Sequence, residues 1–512
     1  MIFELMNSAN EKIGQLIAQI RQERGLTQAE FARKLATSQS AVNRMEHGRQ
    51  NLSMETLGRI SDVLNKQLIT LSSSGATNLR IEGGHELKGT ITLKTSKNAA
   101  VGLLCASLLN HGVTKFKAFP RIEEVYRIIE VLESMGVSVK WLPGNDIEIR
   151  RPAKLKLDHL NAQSARKTRS VLMMIGPLMH DEKTFKIPYA GGCKLGTRTV
   201  APHLYALEYF GVSIVANTGY YNVTVKKKSP PRVTLYEPGD TVTENALFAA
   251  ARTPQETFIE FASANYSVQE VCFFLQKLGV KISGVGTTKM AVQGVAHIKK
   301  NVVYAPSEDP IEAMFFTAAA VTTNSKITIS RVPIEFMSIE LLKLEKMGLR
   351  VDQTTRYKAT NGQTDLVDLT IHKHDGQLKA PADKLHSLPF PGLNADNLPY
   401  FVPIASVVKG RTLIHDWMYE NRAIYYTEMT KIGAQIELAD PHRVYITGPT
   451  RFTVSDIVCP PALRPASLLL IGMLAANGTS MLRNIYTIQR GYEDLAERLN
   501  SLGANITVLH EL

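Results

Sequence analysis

The hydrophobic and polar residues of this chain follow two rhythms, and the change falls near residue 77. Between residues 11 and 70 apolar positions recur at helical spacing, which predicts four or five short helices. Ile13, Leu16, Ile17 and Ile20 form one stripe that ends near Gly25. Thr27 is placed to cap a helix over Gln28–Leu35, and Glu30 three residues on completes a capping box. Ser38 is placed to cap a further helix over Gln39–Glu46, which stops at His47-Gly48. The small side chain of Ala32 lets these two helices approach, and Leu35 and Val42 fill the space between them.

Beyond residue 77 a helix, a glycine and an alternating strand return six times. Leu132–Val139 and Leu207–Ile214 show the unit, and Leu275–Ile282, Leu344–Val351, Met429–Ile436 and Leu499–Ile506 repeat it. The returns come roughly 70 residues apart, so they mark a structural repeat. Glycine suits the left-handed position that closes a helix, and the alternation after it suits a half-buried strand. Six such units predict a two-lobed α/β protein, three units per lobe, with helices inside and a ligand cleft between lobes.

Composition refines this picture. A chain of 512 residues has room for roughly three domains. A formal net charge of +12 favours acidic partners such as phosphate-bearing substrates or nucleic acid. Cys105, Cys193, Cys272 and Cys459 are far apart, which argues against a zinc site or a disulfide framework and for a reducing cytoplasm. The N-terminus lacks the pattern of a signal peptide, and no apolar run reaches the roughly 18 residues of a membrane span. A cytoplasmic location without a membrane partner is therefore expected.

The helices before residue 71 resemble the helix-turn-helix domain of phage repressors of the Xre/Cro type over almost their whole length. The resemblance implies that Gln39–Glu46 enters the DNA major groove by its N-terminal end. Gln39, Ser40, Asn43 and Arg44 would then face base edges or phosphates, with Gln28 near the DNA backbone. Ala36 departs from the glycine usual at the turn. A helical bundle used only for dimerisation is the competing reading, so a homodimer is left open.

The chemistry centres on Gly191-Gly192-Cys193-Lys194-Leu195-Gly196-Thr197-Arg198. Three glycines permit close backbone approach to a ligand, and the flanking cations favour thiolate over thiol. A buried cysteine in a glycine-rich turn is the plainer alternative for the stretch taken alone. Further stretches bear on the choice: Thr95-Ser96-Lys97-Asn98, Ser307-Glu308-Asp309-Pro310, Glu420-Asn421-Arg422, Ala462-Leu463-Arg464 and Gln489-Arg490-Gly491. Together with the six units they resemble the enolpyruvyl transferase family, over about residues 79–512.

That resemblance implies an inverse α/β barrel of two domains, with the first strand returning to complete the C-terminal one. The expected division is a helix-turn-helix domain at 1–71 and a linker at 72–77. The C-terminal lobe would take 78–95 and 300–512, and the N-terminal lobe 96–299. The branch closest to these motifs carries enolpyruvyl from phosphoenolpyruvate to the 3′-hydroxyl of UDP-N-acetylglucosamine, the first step of peptidoglycan precursor synthesis. By the same resemblance Cys193 protonates the methylene carbon, and Asp309 takes or steers the hydroxyl proton. Lys97, Arg198 and Arg490 would hold the donor phosphate, and Arg422 or Arg464 its carboxylate. Asn98 and Arg169 would serve the nucleotide sugar, and His203 would border the phosphate site of Arg198. No metal or organic cofactor is implied. Asp309 also reads as a helix cap before Pro310, and both roles are compatible.

The family's shikimate branch lacks the cysteine, which favours the nucleotide-sugar branch. Departures stand at Ala462, where the family has an aspartate, and at Thr241, where it has a glycine. Ala201-Pro202 also departs, replacing an acidic residue before His203. They leave open a regulator that senses a nucleotide sugar and binds DNA, and enolpyruvyl transfer to another nucleotide acceptor.

Overall fold

In a computed structural model, residues 26–35, 37–48, 77–189, 199–374, 376 and 378–510 are described, with scattered helical positions among 13–22 and at 56, 60 and 63, and residue 52 outside any helix. Ala36, Cys193, Arg198 and residues 72–76 of the expected linker at 72–77 lie outside the described residues, and Thr77 opens a strand. The chain divides into two compact units, one within residues 1–76 and the other Thr77–Leu509.

The small unit forms the helices its polar punctuation predicts. Helix α1 (Gln28–Lys34) starts at Thr27 with both halves of the capping box made by Glu30. Helix α2 (Gln39–Glu46) starts at Ser38, whose side chain accepts from the Ala41 N–H at 3.2 Å. Phe31, Ala32, Leu35, Val42 and Met45 pack with Ile17 and Ile20 in a core of its own.

In the large unit the described residues form six small sheets. Five of them combine antiparallel pairs with one parallel edge pair, such as Val302–Tyr304 against Val113–Phe116. The glycines that follow the repeated helices are left-handed at all six places, with φ of +89° at Gly136, +81° at Gly211, +102° at Gly279, +99° at Gly348, +91° at Gly433 and +95° at Gly503. Five of these ends close with the residue after glycine donating to the carbonyl five residues back, as in Val280 to Leu275 at 3.1 Å. One helix differs from the pattern. Ala423–Ile432 winds as a 3₁₀-helix, and the Thr427 and Thr430 hydroxyls donate to carbonyls three residues back.

Two hydrophobic cores lie inside the sheets, one drawn from Ala100–Tyr304 and the other from Leu79–Leu93 with Tyr266 and Ile311–Ile506. Each encloses helices that are apolar on nearly every side. The first holds α3 (Lys97–Ser107), α5 (Asp240–Ala250) and α6 (Tyr266–Leu278), beside the more amphipathic α4 (Glu123–Ser134). The second holds α7 (Pro310–Thr322), α8 (Phe401–Val407) and α9 (Leu463–Ala475). The chain passes between the cores twice, and the two passages pair: Ser96 donates to the Ser307 carbonyl at 3.0 Å and Asp309 N–H to Lys94 at 2.9 Å. Paired crossings bring the N-terminus of α3 beside that of α7.

Candidate active site

The charged residues of the large unit gather where the buried helices begin. Lys97 is the first residue of α3, and Ser96 caps that helix. Asp309 caps α7, accepting from the Ile311 N–H at 2.8 Å, and also accepts from the Lys97 N–H at 3.3 Å. One carboxylate thus serves two helix N-termini, whose unpaired N–H groups favour negative charge. Burial raises the Asp309 carboxyl to about 6, aided by Glu312 and opposed by Arg464 and the two N–H groups. Pro310 at the first helical position completes the cap as expected.

Arg422 and Arg464 point toward one carboxylate, that of Asp396. Arg464 Nη2 lies 3.1 Å from Asp396 Oδ2, and Arg422 Nη1 lies 3.6 Å from Oδ1. Each arginine is anchored independently on its other nitrogens. Arg422 donates to Asp416 from Nε at 2.5 Å and Nη2 at 2.9 Å, and to the Ala395 carbonyl at 2.5 Å. Arg464 Nη1 donates to the hydroxyls of Tyr400 at 3.3 Å and Tyr492 at 3.1 Å, which also bond each other. Burial opposes ionisation of Asp396, yet Arg464, Arg422 and Lys97 hold its carboxyl well below the usual range.

Arg490 reaches across to α4, donating to Glu124 at 2.6 Å. Glu124 also accepts from Thr168 at 2.7 Å. Burial works against its charge, but Lys97 and Arg490 outweigh burial and hold its carboxyl below the ordinary value. Lys97 therefore stands within electrostatic reach of both clusters, the one around Asp396 and the one around Glu124. The structure brings Lys97, Asp309, Arg422, Arg464 and Arg490 into one region.

Asn98 donates to the Tyr266 hydroxyl at 2.9 Å, at the start of α6. Arg169 donates to the Thr199 carbonyl at 2.5 Å. His203 turns inward: it is buried, with Nδ1 3.3 Å from Asn245 Nδ2 and Nε2 3.3 Å from Thr241 Oγ1. An amide N–H can only donate, so Nδ1 accepts and the ring is the Nε2–H tautomer. Burial, with Arg169 nearby, pushes its pKa down to about 3, so the ring stays neutral. Sequence reasoning missed Asp396, Asp416, Glu124, Tyr400 and Tyr492. Only the arginines they serve carried a motif.

In the small unit Gln39, Ser40, Asn43 and Arg44 are exposed on α2. Gln28 makes a bond within the unit. Its amide donates to Glu46 at 2.8 Å, and Glu46 in turn is held by Arg21 at 2.5 Å in a buried ion pair. Gln28 thus ties α1 to α2.

A family model described as EPSP synthase (3-phosphoshikimate 1-carboxyvinyltransferase) matches residues 81–499. The chain belongs to the enolpyruvyl transferase family. Within the family it is 30% identical over 428 residues to the UDP-N-acetylglucosamine 1-carboxyvinyltransferase of Bradyrhizobium diazoefficiens, covering 83% of this chain and 96% of that one. The protein of the same name from Treponema denticola is also 30% identical, with 83% and 98% covered. The enolpyruvyl transferase NikO from Streptomyces tendae shares the fold at a TM-score of 0.74 and 21% identity, over 86% of this chain and all of that one (100%). EPSP synthase from Acinetobacter baumannii shares it at 0.65 and 17%, over 85% and 100%. A model described as Helix-turn-helix matches residues 17–71. Among the described residues no helix is long and apolar enough to cross a membrane.

Proposed function

We propose that the large unit is an enzyme that transfers the enolpyruvyl group of phosphoenolpyruvate to the 3′-hydroxyl of UDP-N-acetylglucosamine and releases phosphate. The observation that carries this reading is the gathering of Lys97, Arg422, Arg464 and Arg490 beside Asp309, in a chain similar to enzymes named for that activity. The donor bears a phosphate and a carboxylate, and guanidinium groups grip both through paired hydrogen bonds. Lys97, Arg490 and Arg198 hold the phosphate, and Arg422 or Arg464 the carboxylate. Asn98 and Arg169 serve the nucleotide sugar.

In the chemical step the sugar oxygen bonds to C2 of the donor while the Cys193 thiol protonates C3. Asp309 accepts the hydroxyl proton; its raised pKa gives it more basicity than Asp396, which two arginines keep ionised and weakly basic. The tetrahedral ketal then loses phosphate by C–O cleavage as the Cys193 thiolate takes a proton back from C3, restoring the double bond, and the Asp309 proton leaves with the phosphate. Fixed cations stabilise the developing charge. We further propose an inverse barrel of two domains built from six units, with lobes at 78–95 plus 300–512 and at 96–299, closing on the substrates. The helix-turn-helix unit binds DNA through Gln39, Ser40, Asn43 and Arg44, with Gln28 near the DNA backbone. The reading as a sensor without turnover is not favoured, since the cations and Asp309 are all present.

Phosphate release from phosphoenolpyruvate with UDP-N-acetylglucosamine, compared between wild type and Cys193→Ala, tests the reaction. Release by the wild type alone, with a carboxyvinyl product by mass spectrometry, is expected. Nucleotide-sugar binding without turnover, coupled to changed DNA affinity, refutes it.

A further inference from the structure

Away from the candidate active site, basic residues line up across the outer face of one sheet. In the strand Lys326–Pro333, Ile327 and Ile329 are buried in the core, so alternation turns Lys326 and Thr328 to the outer face. The parallel strand Lys88–Thr92 sets Lys88 beside Lys326 and Thr90 beside Thr328. On the other side, the strand Asp365–Ile371 pairs Ile371 with Ile327, which brings His372 level with Lys326. His372 N–H in turn donates to the Arg350 carbonyl at 3.2 Å. Arg350, His372, Lys326 and Lys88 therefore form one row, beside a row of hydroxyls from Thr370, Thr328 and Thr90. The two halves of the basic row are compensated unequally. Asp352 takes both Arg350, at 3.4 Å, and His372, at 2.6 Å. At the other half Glu86 serves Lys88, at 3.3 Å, and also Lys373, at 2.7 Å. Lys326 has no ion pair among the described residues. Like charges opposite one another on neighbouring strands are unfavourable, and the sheet sets Lys88 against Lys326 in just this way.

These residues line a recess of about 980 Å³, at the upper end of the range for small-molecule sites, about 300–1,000 Å³. Nothing lies within 4 Å of the place where a Cβ on Gly89 would stand, so the wall beside the lysines is open. Among the described residues no aromatic side chain lines the recess, which therefore lacks a stacking platform for single-stranded nucleic acid. We propose that the recess is a second anion site, which binds a small molecule carrying a diphosphate through Lys88, Lys326 and Lys373. Lys88 and Lys326 stand one strand spacing apart, about 4.8 Å, so neighbouring phosphates each meet an ammonium group. The Thr90 and Thr328 hydroxyls are donors for the remaining oxygens. An anion between the two ammonium groups turns their mutual repulsion into two attractions. The volume beyond the lysines takes the rest of the molecule. None of these residues takes part in the proposed transfer reaction.

The test is calorimetric titration of the full chain with inorganic diphosphate and with ADP, at about 0.15 M ionic strength to screen diffuse charge. Wild type is compared with Lys326→Gln, with the double variant Lys88→Gln and Lys326→Gln, and with Lys277→Gln, which changes an exposed lysine of α6. Loss of one ammonium contact is expected to weaken binding at the recess roughly tenfold, and loss of both further, while Lys277→Gln matches wild type. Diphosphate held by Lys97 and Arg490 is untouched by these changes, so the loss reads the recess alone. Lysine-dependent binding of both probes upholds a site that reads phosphates, and such binding of ADP alone upholds one that also needs a nucleoside. Binding that persists undiminished in the double variant, or an equal loss in Lys277→Gln, overturns the proposal. Absence of lysine-dependent binding of either probe overturns it too, and if a short DNA duplex alone shows such binding, the recess is a contact for nucleic-acid backbone. Melting curves separate binding from folding. Without the anion Lys326→Gln should melt no lower than wild type, because the change relieves like charges, and diphosphate should raise the melting temperature of wild type more than that of the variant. An equal rise in both overturns the proposal.

Discussion

The ion pair that anchors Arg422 offers the sharpest test of how the site is held. Asp416 has no exposed surface, and it accepts two bonds from Arg422 and one from the Tyr426 hydroxyl. Asp416→Asn keeps the shape, removes the charge and turns one acceptor into a donor facing donors. Breaking a buried pair costs about 3–5 kcal/mol, because the surviving charge is left without compensation. Arg422 retains the Ala395 carbonyl and Asp396, so the loss should fall near the lower end, about 3 kcal/mol. Arg422→Met should cost a similar amount by stranding Asp416. The double variant Asp416→Leu with Arg422→Met removes both charges and leaves the Tyr426 hydroxyl without its acceptor and the Ala395 carbonyl without its donor. Its loss should be about 1–2 kcal/mol, less than either single change. Urea unfolding with unchanged slope measures each value, and Asp416→Leu alone completes a cycle with Arg422→Met, the double variant and wild type. Single variants that cost under about 1 kcal/mol, or a double variant equal to their sum, would refute a buried, mutually dependent pair.

Four further outcomes follow from the geometry. With the Asp309 carboxyl raised to about 6, kcat/KM should rise with pH on an acid limb near that value, and Asp309→Asn should abolish the limb along with most turnover. The same raised pKa makes the native state bind more protons than the unfolded chain. Its contribution is therefore full below the unfolded value and is lost as pH rises through about 6, so urea titrations of Asp309→Asn should show a flatter decline from pH 4 to pH 6. At the helix ends, Gly211→Ala places a Cβ 1.9 Å from the Lys226 carbonyl, whereas at Gly136 the nearest atom is 3.7 Å away. Gly136→Ala should cost about 1–2 kcal/mol from the left-handed backbone alone, and Gly211→Ala clearly more, in urea unfolding. Arg44→Ala should weaken DNA binding across sequences and reduce the salt slope by about one, measured by fluorescence anisotropy. An unchanged slope would remove Arg44 from phosphate contact.

The sequence by itself determined the local rules of this protein. Thr27 with Glu30, Ser38 before α2, Pro310 after Asp309 and the six glycines at helix ends were all legible, because each depends on hydrogen bonds spanning three to five residues. The arginines of the site were legible too, but only through short motifs they carry. What the tertiary structure decided is which groups those cations meet. Arg464 and Asp396 stand 68 residues apart, and Arg490 and Glu124 stand 366 apart. No periodicity links such pairs; they meet because paired crossings and buried helices deliver particular helix N-termini to one place. Gln28 shows the same division in the small unit. Its position on α1 was readable, but its bond to Glu46 depends on how α1 packs against α2. Local geometry is set by the chain's immediate neighbours, while the partners of a buried charge are chosen by the assembled fold, where desolvation makes pairing obligatory.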